Sequence, residues 1–354
     1  MSALSPLGVL TFHRCINYGS FWQARCLLDA LASLGHDAVL LDPRSRRANR
    51  AEWKCALRPT LPTPVSRADR ARYRVKIEAF FAAFETLPQS ASFDLDNPRD
   101  MTPFETVVVG SDEVWNLSHP WYGGASLFYG HGLNARRRVA YAASFGNFDP
   151  SSGLDPYWAG LLRQFDAVAV RDHNAKRLVE AALNRDVPLV LDPCLLSPPQ
   201  VPTEARAPGE PFVAVYGHNF SPAFAARVQA WARARQLPLV SIGYRNDWAD
   251  ESWIEAGPDD FALSMARAQA VVTNFFHGCV FALLNDKPFV AQITPYRSHK
   301  VASLLSKVGA PRHLVGDDAP LGELLDAPLD PAIPATIARL RDFSRRYLET
   351  ALAS

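Results

Sequence analysis

The stretch L-G-V-L-T-F-H-R-C-I-N-Y-G-S-F-W-Q-A-R-C-L-L-D-A-L-A-S-L-G-H-D-A-V-L-L, residues 7–41, holds one complete β-α-β unit. Leu7 to Phe12 is a short apolar run and reads as a strand. Phe21, Ala24, Leu27, Leu28, Leu31 and Leu34 then recur at the helical interval, Gly35 closes the helix, and Ala38 to Leu41 is the next strand. A strand, a helix and a second strand within 35 residues predict a parallel pair with the helix packed across it.

The same alternation runs through the rest of the chain. Thr106 to Val109, Val139 to Ala142, Ala167 to Val170 and Leu189 to Leu191 read as strands, with a helix after Arg171 separating the last two. A proline-rich passage follows, from Asp192-Pro-Cys through Pro208 and Pro211, which can form neither a helix nor a central strand. The alternation then restarts with strands at Phe212 to Tyr216, Leu239 to Ile242 and Ala270 to Thr273, and helices across Phe224 to Arg235 and Phe261 to Arg267.

The expected fold is therefore α/β: two doubly wound, Rossmann-like domains facing a cleft, in a glycosyltransferase-B-like arrangement. Residues 1–195 form the first domain, 196–210 the proline-rich linker and 211–330 the second domain; a helix in 331–354 is free to cross back to the first.

The 354 residues are 48% apolar, enough for two cores. With 37 Lys+Arg against 36 Asp+Glu the formal charge is +1, so no whole-molecule field marks a nucleic-acid binder and any anion site is local. The five cysteines are scattered and show no metal-ligand spacing, so neither a disulfide framework nor a metal is expected. The first residues lack a signal-peptide pattern, and no apolar run is long enough for a membrane span, which points to the cytoplasm. Arg44 to Lys76 carries eleven Lys/Arg against Glu52 and Asp69. Such a run reads either as a solvated face or as a contact with an anionic membrane surface or a lipid diphosphate at its inner face.

Ligands in open α/β sheets bind beyond the carboxyl ends of the strands. The residues there are polar: His13, Arg14, Asn17, Tyr18 and Gly19 after the first strand, Gly110 to Glu113 with Trp115 and Asn116 after the Thr106 strand, and Ser144 and Arg171-Asp172 further on. The second domain offers Tyr216-Gly217-His218 and Thr273 to Gly278.

The segments T-F-H-R-C-I-N-Y-G-S-F-W-Q-A (11–24), V-V-G-S-D-E-V-W-N (108–116) and Y-A-A-S-F-G (141–146) resemble the signatures of the polysaccharide pyruvyl transferase family. So do V-A-V-R-D (168–172), V-L-D-P-C-L-L (190–196), G-P-D-D-F (257–261) and V-V-T-N-F-F-H-G-C-V-F-A-L-L-N-D-K-P-F (271–289), in the same order. The resemblance implies transfer of an enolpyruvyl group from phosphoenolpyruvate to a saccharide, free or lipid-linked, in exopolysaccharide or cell-surface glycan synthesis, without a cofactor. Ketal formation needs a general acid for C3, a base for each hydroxyl, and cations and N–H groups for the donor's carboxylate and phosphate.

On that reading His277 is the acid/base, matching the family's functional histidine. Arg171, Asn274, Gly278, Arg14 and His218 bind the donor, with Arg297, His299 and Lys300 as further cations. Asn17, Tyr18, Asp112, Trp115 and Asn116 bind the acceptor, the tryptophan as an aromatic platform. Each has a plain alternative: an ion pair for Arg171, a buried tryptophan in a turn, a helix cap at Asn17. The chain departs from many members by carrying Phe275 where they have Ser or Arg, which opens the donor pocket to change. Two other classes stay open. One is a glycosyltransferase using a nucleotide sugar, with Glu251 or Glu255 near the ribose; the other is a non-catalytic saccharide-binding homologue.

Overall fold

The computed structural model describes residues 5–294 and 298–353, which places Arg297 outside the described residues. Twelve strands are described: β1 (Ser5–Leu10), β2 (Ala38–Arg44), β3 (Gln89–Asp94), β4 (Phe104–Val109), β5 (Ala135–Ala143), β6 (Ala167–Val170), β7 (Val213–Tyr216), β8 (Leu239–Ile242), β9 (Glu251–Trp253), β10 (Ala270–Thr273), β11 (Phe289–Gln292) and β12 (Leu314–Val315). They form two six-stranded sheets, ordered β3-β2-β1-β4-β5-β6 and β12-β11-β10-β7-β8-β9. Every pairing is parallel. Counted from its own first strand, each sheet has the doubly wound order 3-2-1-4-5-6, so the two Rossmann-like domains are observed. The strand expected at Leu189 to Leu191 reduces to a single bridge from Leu189 to Val170, because Pro188 before it and Pro193 after it leave too little free backbone for a ladder.

The chain divides into two compact units. One comprises Met1–Trp53, Phe84–Pro198 and Ala338–Ser354; the other comprises Lys54–Ala83 and Pro199–Ile337. The first domain expected over residues 1–195 is interrupted: 54–83 packs with the second unit. The cause is an apolar stripe on the helix Arg67–Phe84: Tyr73, Ile77 and Phe80 are buried at helical spacing. Its polar flanks bind the same unit, with Arg72 paired to Glu255 and Asp69 to Arg245. The helix Ala332–Ala353 ends in the first unit, where Ser344 Oγ accepts from Leu191 N at 2.9 Å and the Tyr347 hydroxyl donates to the Ala140 carbonyl at 2.9 Å.

In both sheets the central strands are buried on both faces. Val9, Val107, Val108 and Val109 fill the first core, and Val213, Val215, Val271 and Val272 the second. Burying each such side chain contributes roughly 1.5–3 kcal/mol, which is why these short strands need no alternation of polar residues. Among the described residues no helix is long and apolar enough to cross a membrane.

Candidate functional site

Each sheet reverses its strand order once, between β1 and β4 in the first unit and between β7 and β10 in the second. The crevice beyond the carboxyl ends at such a switch point is the expected ligand position. The polar loops singled out from the sequence sit at those two edges, and the structure gives each a distinct character.

In the first unit the loops are tied to one another. Thr11 Oγ1 donates to the Ser111 carbonyl at 2.8 Å, Ser20 Oγ to Asp112 Oδ2 at 2.8 Å, and Gln23 Nε2 to Thr11 Oγ1 at 2.9 Å. Asp112 takes a left-handed backbone with φ of 78° and is buried. Arg171 lies at the centre. Its Nη2 meets Asp112 Oδ1 at 2.9 Å and its Nη1 meets Asp192 Oδ2 at 3.0 Å, with the side chain 1% exposed. Burial opposes the guanidinium's charge, but Asp112 and Asp192 outweigh it and raise its pKa above the usual arginine value. Arg171 thus joins three loops as a structural ion pair, and the expected fork for a donor carboxylate is occupied by the protein's own carboxylates. Its neighbour Asp172 caps the helix His173–Leu183 by accepting from Ala175 N at 2.8 Å.

The other residues expected on this edge, four for the acceptor and Arg14 for the donor, are placed as follows. Trp115 is 0% exposed and its indole N–H donates to the Phe128 carbonyl at 2.8 Å, so it presents no face to a sugar. Tyr18 is also fully buried. Asn17 is the N-cap of the helix Tyr18–Ser33, accepting from Gly19 N at 2.8 Å and Ser20 N at 3.2 Å. Asn116 donates to Glu113 and Asn147 at 2.9 and 3.0 Å. Arg14 pairs with Asp42 at 2.9 Å and donates to Gln89 at 3.0 Å.

Sequence reasoning missed two groups on this edge. Glu52, inside the basic run, is buried; it accepts from Ile16 N at 2.7 Å, and its pKa is pushed up to about 7 by burial against the pull of that N–H. His119, Trp121 and Tyr122 form an aromatic rim, with Phe12 stacked on Tyr122 at 4.7 Å and His119 edge-on to Trp121 at 5.6 Å. The signal for the rim is H-P-W-Y at 119–122, starting four residues past Trp115.

In the second unit the expected residues come together. The helix Phe276–Leu284 starts directly after β10, with His277 in its first turn and largely buried. Gly278 permits this approach, since a Cβ there would collide with the Thr273 side chain. Asn274 Nδ2 donates to the His218 carbonyl at 2.8 Å, while Asn246 Nδ2 holds the Gly217 carbonyl at 2.9 Å. The loops after β7, β8 and β10 are thereby fastened together, with the His218 ring 5.0 Å from Tyr244 and 5.3 Å from Phe275. Asn246 and Tyr244 were not foreseen. Glu255, considered for a ribose, is taken by Arg72, and Glu251 lies exposed on β9.

Residues 17–291 match the polysaccharide pyruvyl transferase family. The chain belongs to that family. No curated protein matches it. Among solved structures it is similar to S. aureus MnaA, solved with UDP, at 11% identity over 98% of this chain and 97% of that one, TM-score 0.49. It is similar also to AviGT4, a glycosyltransferase involved in avilamycin A biosynthesis, at 16% identity over 99% and 98%, TM-score 0.45. A third is the Methanocaldococcus jannaschii UDP-GlcNAc 2-epimerase, at 10% over 96% and 99%, TM-score 0.45. The pyruvyl transferase match runs through both switch points, from Asn17 beyond β1 to Ala291 in β11.

Proposed function

We propose that this pyruvyl transferase homologue moves the enolpyruvyl group of phosphoenolpyruvate onto two hydroxyls of one sugar, releasing phosphate. The observation that carries the reading is the family match over residues 17–291, which encloses His277 and the loops fastened around it. In the first step one hydroxyl oxygen bonds C2 as a proton reaches C3, which becomes a methyl group. In the second, the other hydroxyl bonds C2 while the C2–O bond to phosphate breaks, and phosphate leaves with that oxygen. Each hydroxyl proton passes to a base.

We assign His277 to proton transfer at C3. The N–H groups opening the helix Phe276–Leu284, together with Asn274 and His218, receive the donor's anionic end. Arg171 acts as a positioning residue that holds the 111–112 loop. The sugar's apolar face is assigned to the His119–Tyr122 rim in place of Trp115. No cofactor or metal enters this scheme, because acid, base and anion-binding groups suffice for the chemistry. We place the reaction in surface glycan synthesis on the cytoplasmic side, with a lipid-linked acceptor. The support is the exposed arginines 46, 47 and 50 beside exposed Trp53, a pattern suited to an anionic surface.

The test is incubation with phosphoenolpyruvate and a panel of saccharides while phosphate release is followed. Release that depends on one acceptor supports the reading. Release independent of any acceptor, or none with any acceptor, refutes it.

A further inference from the structure

At the end of β7 three successive carbonyls are each held by a buried side chain. Thr273 Oγ1 donates to the Tyr216 carbonyl at 2.6 Å, Asn246 Nδ2 to the Gly217 carbonyl at 2.9 Å and Asn274 Nδ2 to the His218 carbonyl at 2.8 Å. Thr273 and Asn274 come from the end of β10 and Asn246 from the loop after β8, and β7 lies between those two strands in the sheet. The carbonyls therefore turn alternately toward β10, β8 and β10. The Gly217–His218 peptide is trans, so its N–H lies opposite its carbonyl. Holding the Gly217 carbonyl on the β8 side sets the His218 N–H on the β10 side, where the switch-point crevice and the first turn of the helix Phe276–Leu284 lie.

Asn246 is itself fixed before it reaches Gly217. It is 5% exposed, its Nδ2 also donates to Ser241 Oγ at 2.8 Å, and its backbone N donates to Ser252 Oγ on β9 at 3.2 Å. Ser241 Oγ in turn donates to the Tyr244 carbonyl at 2.8 Å. Across the loop, Asn274 is 1% exposed and its Oδ1 has no hydrogen-bond partner among the described residues. A buried acceptor left in that state is a cost, and turning the amide over would set Oδ1 against the His218 carbonyl. The same Oδ1 lies over Gly217, where a Cβ would come within 2.2 Å of it and φ is 147°. Stability is thus given up to hold two consecutive peptides in one orientation, as expected where backbone meets a ligand.

Two imidazoles share this edge. His277 stands in the first turn of the helix, and the His218 ring packs 5.0 Å from Tyr244 and 5.3 Å from Phe275. The ring and the backbone of residue 218 are set by different neighbours: aromatic rings hold the first, and Asn246 aims the second.

We propose that Asn246 is a positioning residue of the anion site in the second unit, and that His218 serves that site through its backbone N–H, aimed by the hydrogen bond from Asn246 to Gly217. The ligand is a phosphate or carboxylate end. This rests on the reading that the donor's anionic end sits at the loops after β7 and β10.

The experiment is NMR of the full chain carrying nitrogen-15 histidine, titrated at one fixed pH with phosphoenolpyruvate and, separately, with sulfate. The His218 and His277 amide signals are identified by their loss in His218→Ala and His277→Ala. The His218 amide proton is expected to move downfield as either anion binds. Asn246→Leu is neutral and of similar size, and a thermal melt checks its fold. It is expected to bind each anion about ten- to a hundredfold more weakly, the range for one hydrogen bond to a charged group. At saturation its His218 amide is expected to lose the downfield shift while the His277 amide still responds. His218→Ala loses the imidazole and keeps the N–H, so it is expected to lose less affinity than Asn246→Leu. The wild-type measurement stands even where Asn246→Leu fails to fold.

A His218 shift with sulfate, together with no phosphoenolpyruvate binding, upholds the role of Asn246 and removes the donor reading. Phosphoenolpyruvate binding that moves the His277 amide and not the His218 amide keeps the donor reading and overturns this one. Affinity kept in a folded Asn246→Leu and lost in His218→Ala assigns the contact to the imidazole and overturns it as well. Failure of both anions to bind overturns both.

Discussion

Replacing Arg171 by alanine separates a structural arginine from a donor-binding one. Removal of the guanidinium leaves Asp112 and Asp192 facing each other's loops, and their side chains are only 10% and 0% exposed. Breaking a buried ion pair by deleting one partner costs about 3–5 kcal/mol, because the remaining carboxylates must ionise without a counter-charge or take up protons. At about 2–4 °C per kcal/mol for a domain of this size, the first unit is expected to melt some 6–20 °C earlier, by order of magnitude. The assay is thermal and urea unfolding followed by tryptophan fluorescence, to which the buried Trp22 and Trp115 of the first unit contribute. Arg171→Lys keeps one charge but cannot reach both carboxylates with a planar fork, so it falls between alanine and wild type. Phosphoenolpyruvate affinity, measured below the new melting point, is expected to change only a few-fold. A variant that melts like the wild type yet binds the donor ten- to a hundredfold more weakly refutes the structural assignment.

His277→Ala is expected to lower turnover by roughly 10²- to 10⁴-fold with donor affinity within a few-fold, read from steady-state kinetics beside a direct binding titration. Trp115→Ala is expected to cost about 3–5 kcal/mol of stability in urea melts while leaving the acceptor KM of the folded fraction unchanged. Glu52, with its pKa raised from 4.5 to about 7 by burial, binds more protons folded than unfolded in that window. Stability from this group is therefore fully present below pH 4.5 and lost as pH rises to 7, so Glu52→Gln should gain on the wild type by up to about 3 kcal/mol across that range in pH-resolved melts. Turnover is expected to survive exhaustive chelation; loss on chelation and recovery with added divalent ion refutes the metal-free scheme.

The fold was legible because its central strands are apolar runs between helices of clear period. Residues 7–41 already hold most of β1, the helix Tyr18–Ser33 and the start of β2. What escaped were the edges. Gln89–Asp94 reads Q-S-A-S-F-D, largely polar with Phe93 its one buried side chain, and pairs as β3 along β2. The placement of 54–83 was hidden by its charge, since its seven Lys/Arg masked the stripe of Tyr73, Ile77 and Phe80 that decides where the helix packs.

The candidate site was legible unequally, and the reason lies in what a strand end can hold. At the β10 edge, Asn274, His277 and Gly278 lie within five residues at a helix start, so local chemistry and local geometry coincide. At the first unit's edge, the polar residues come from four separate loops. Whether Arg171 faces a ligand or two carboxylates depends on Asp112 and Asp192, 59 and 21 positions away. Trp115 and Trp121 are six positions apart with the same side chain. Only tertiary packing buries the first and leaves the second at the rim.

The most direct test of the account is the fate of the sugar. Purified protein, phosphoenolpyruvate and the acceptor that triggers phosphate release are combined, and the saccharide is recovered for mass spectrometry and carbon NMR. The acceptor is expected to gain one pyruvate as a cyclic ketal, with a methyl group and a quaternary carbon bonded to two sugar oxygens, and one phosphate is expected per ketal. An acceptor that remains unmodified while phosphate is released, or one that gains a hexose from a nucleotide sugar and nothing from phosphoenolpyruvate, contradicts it.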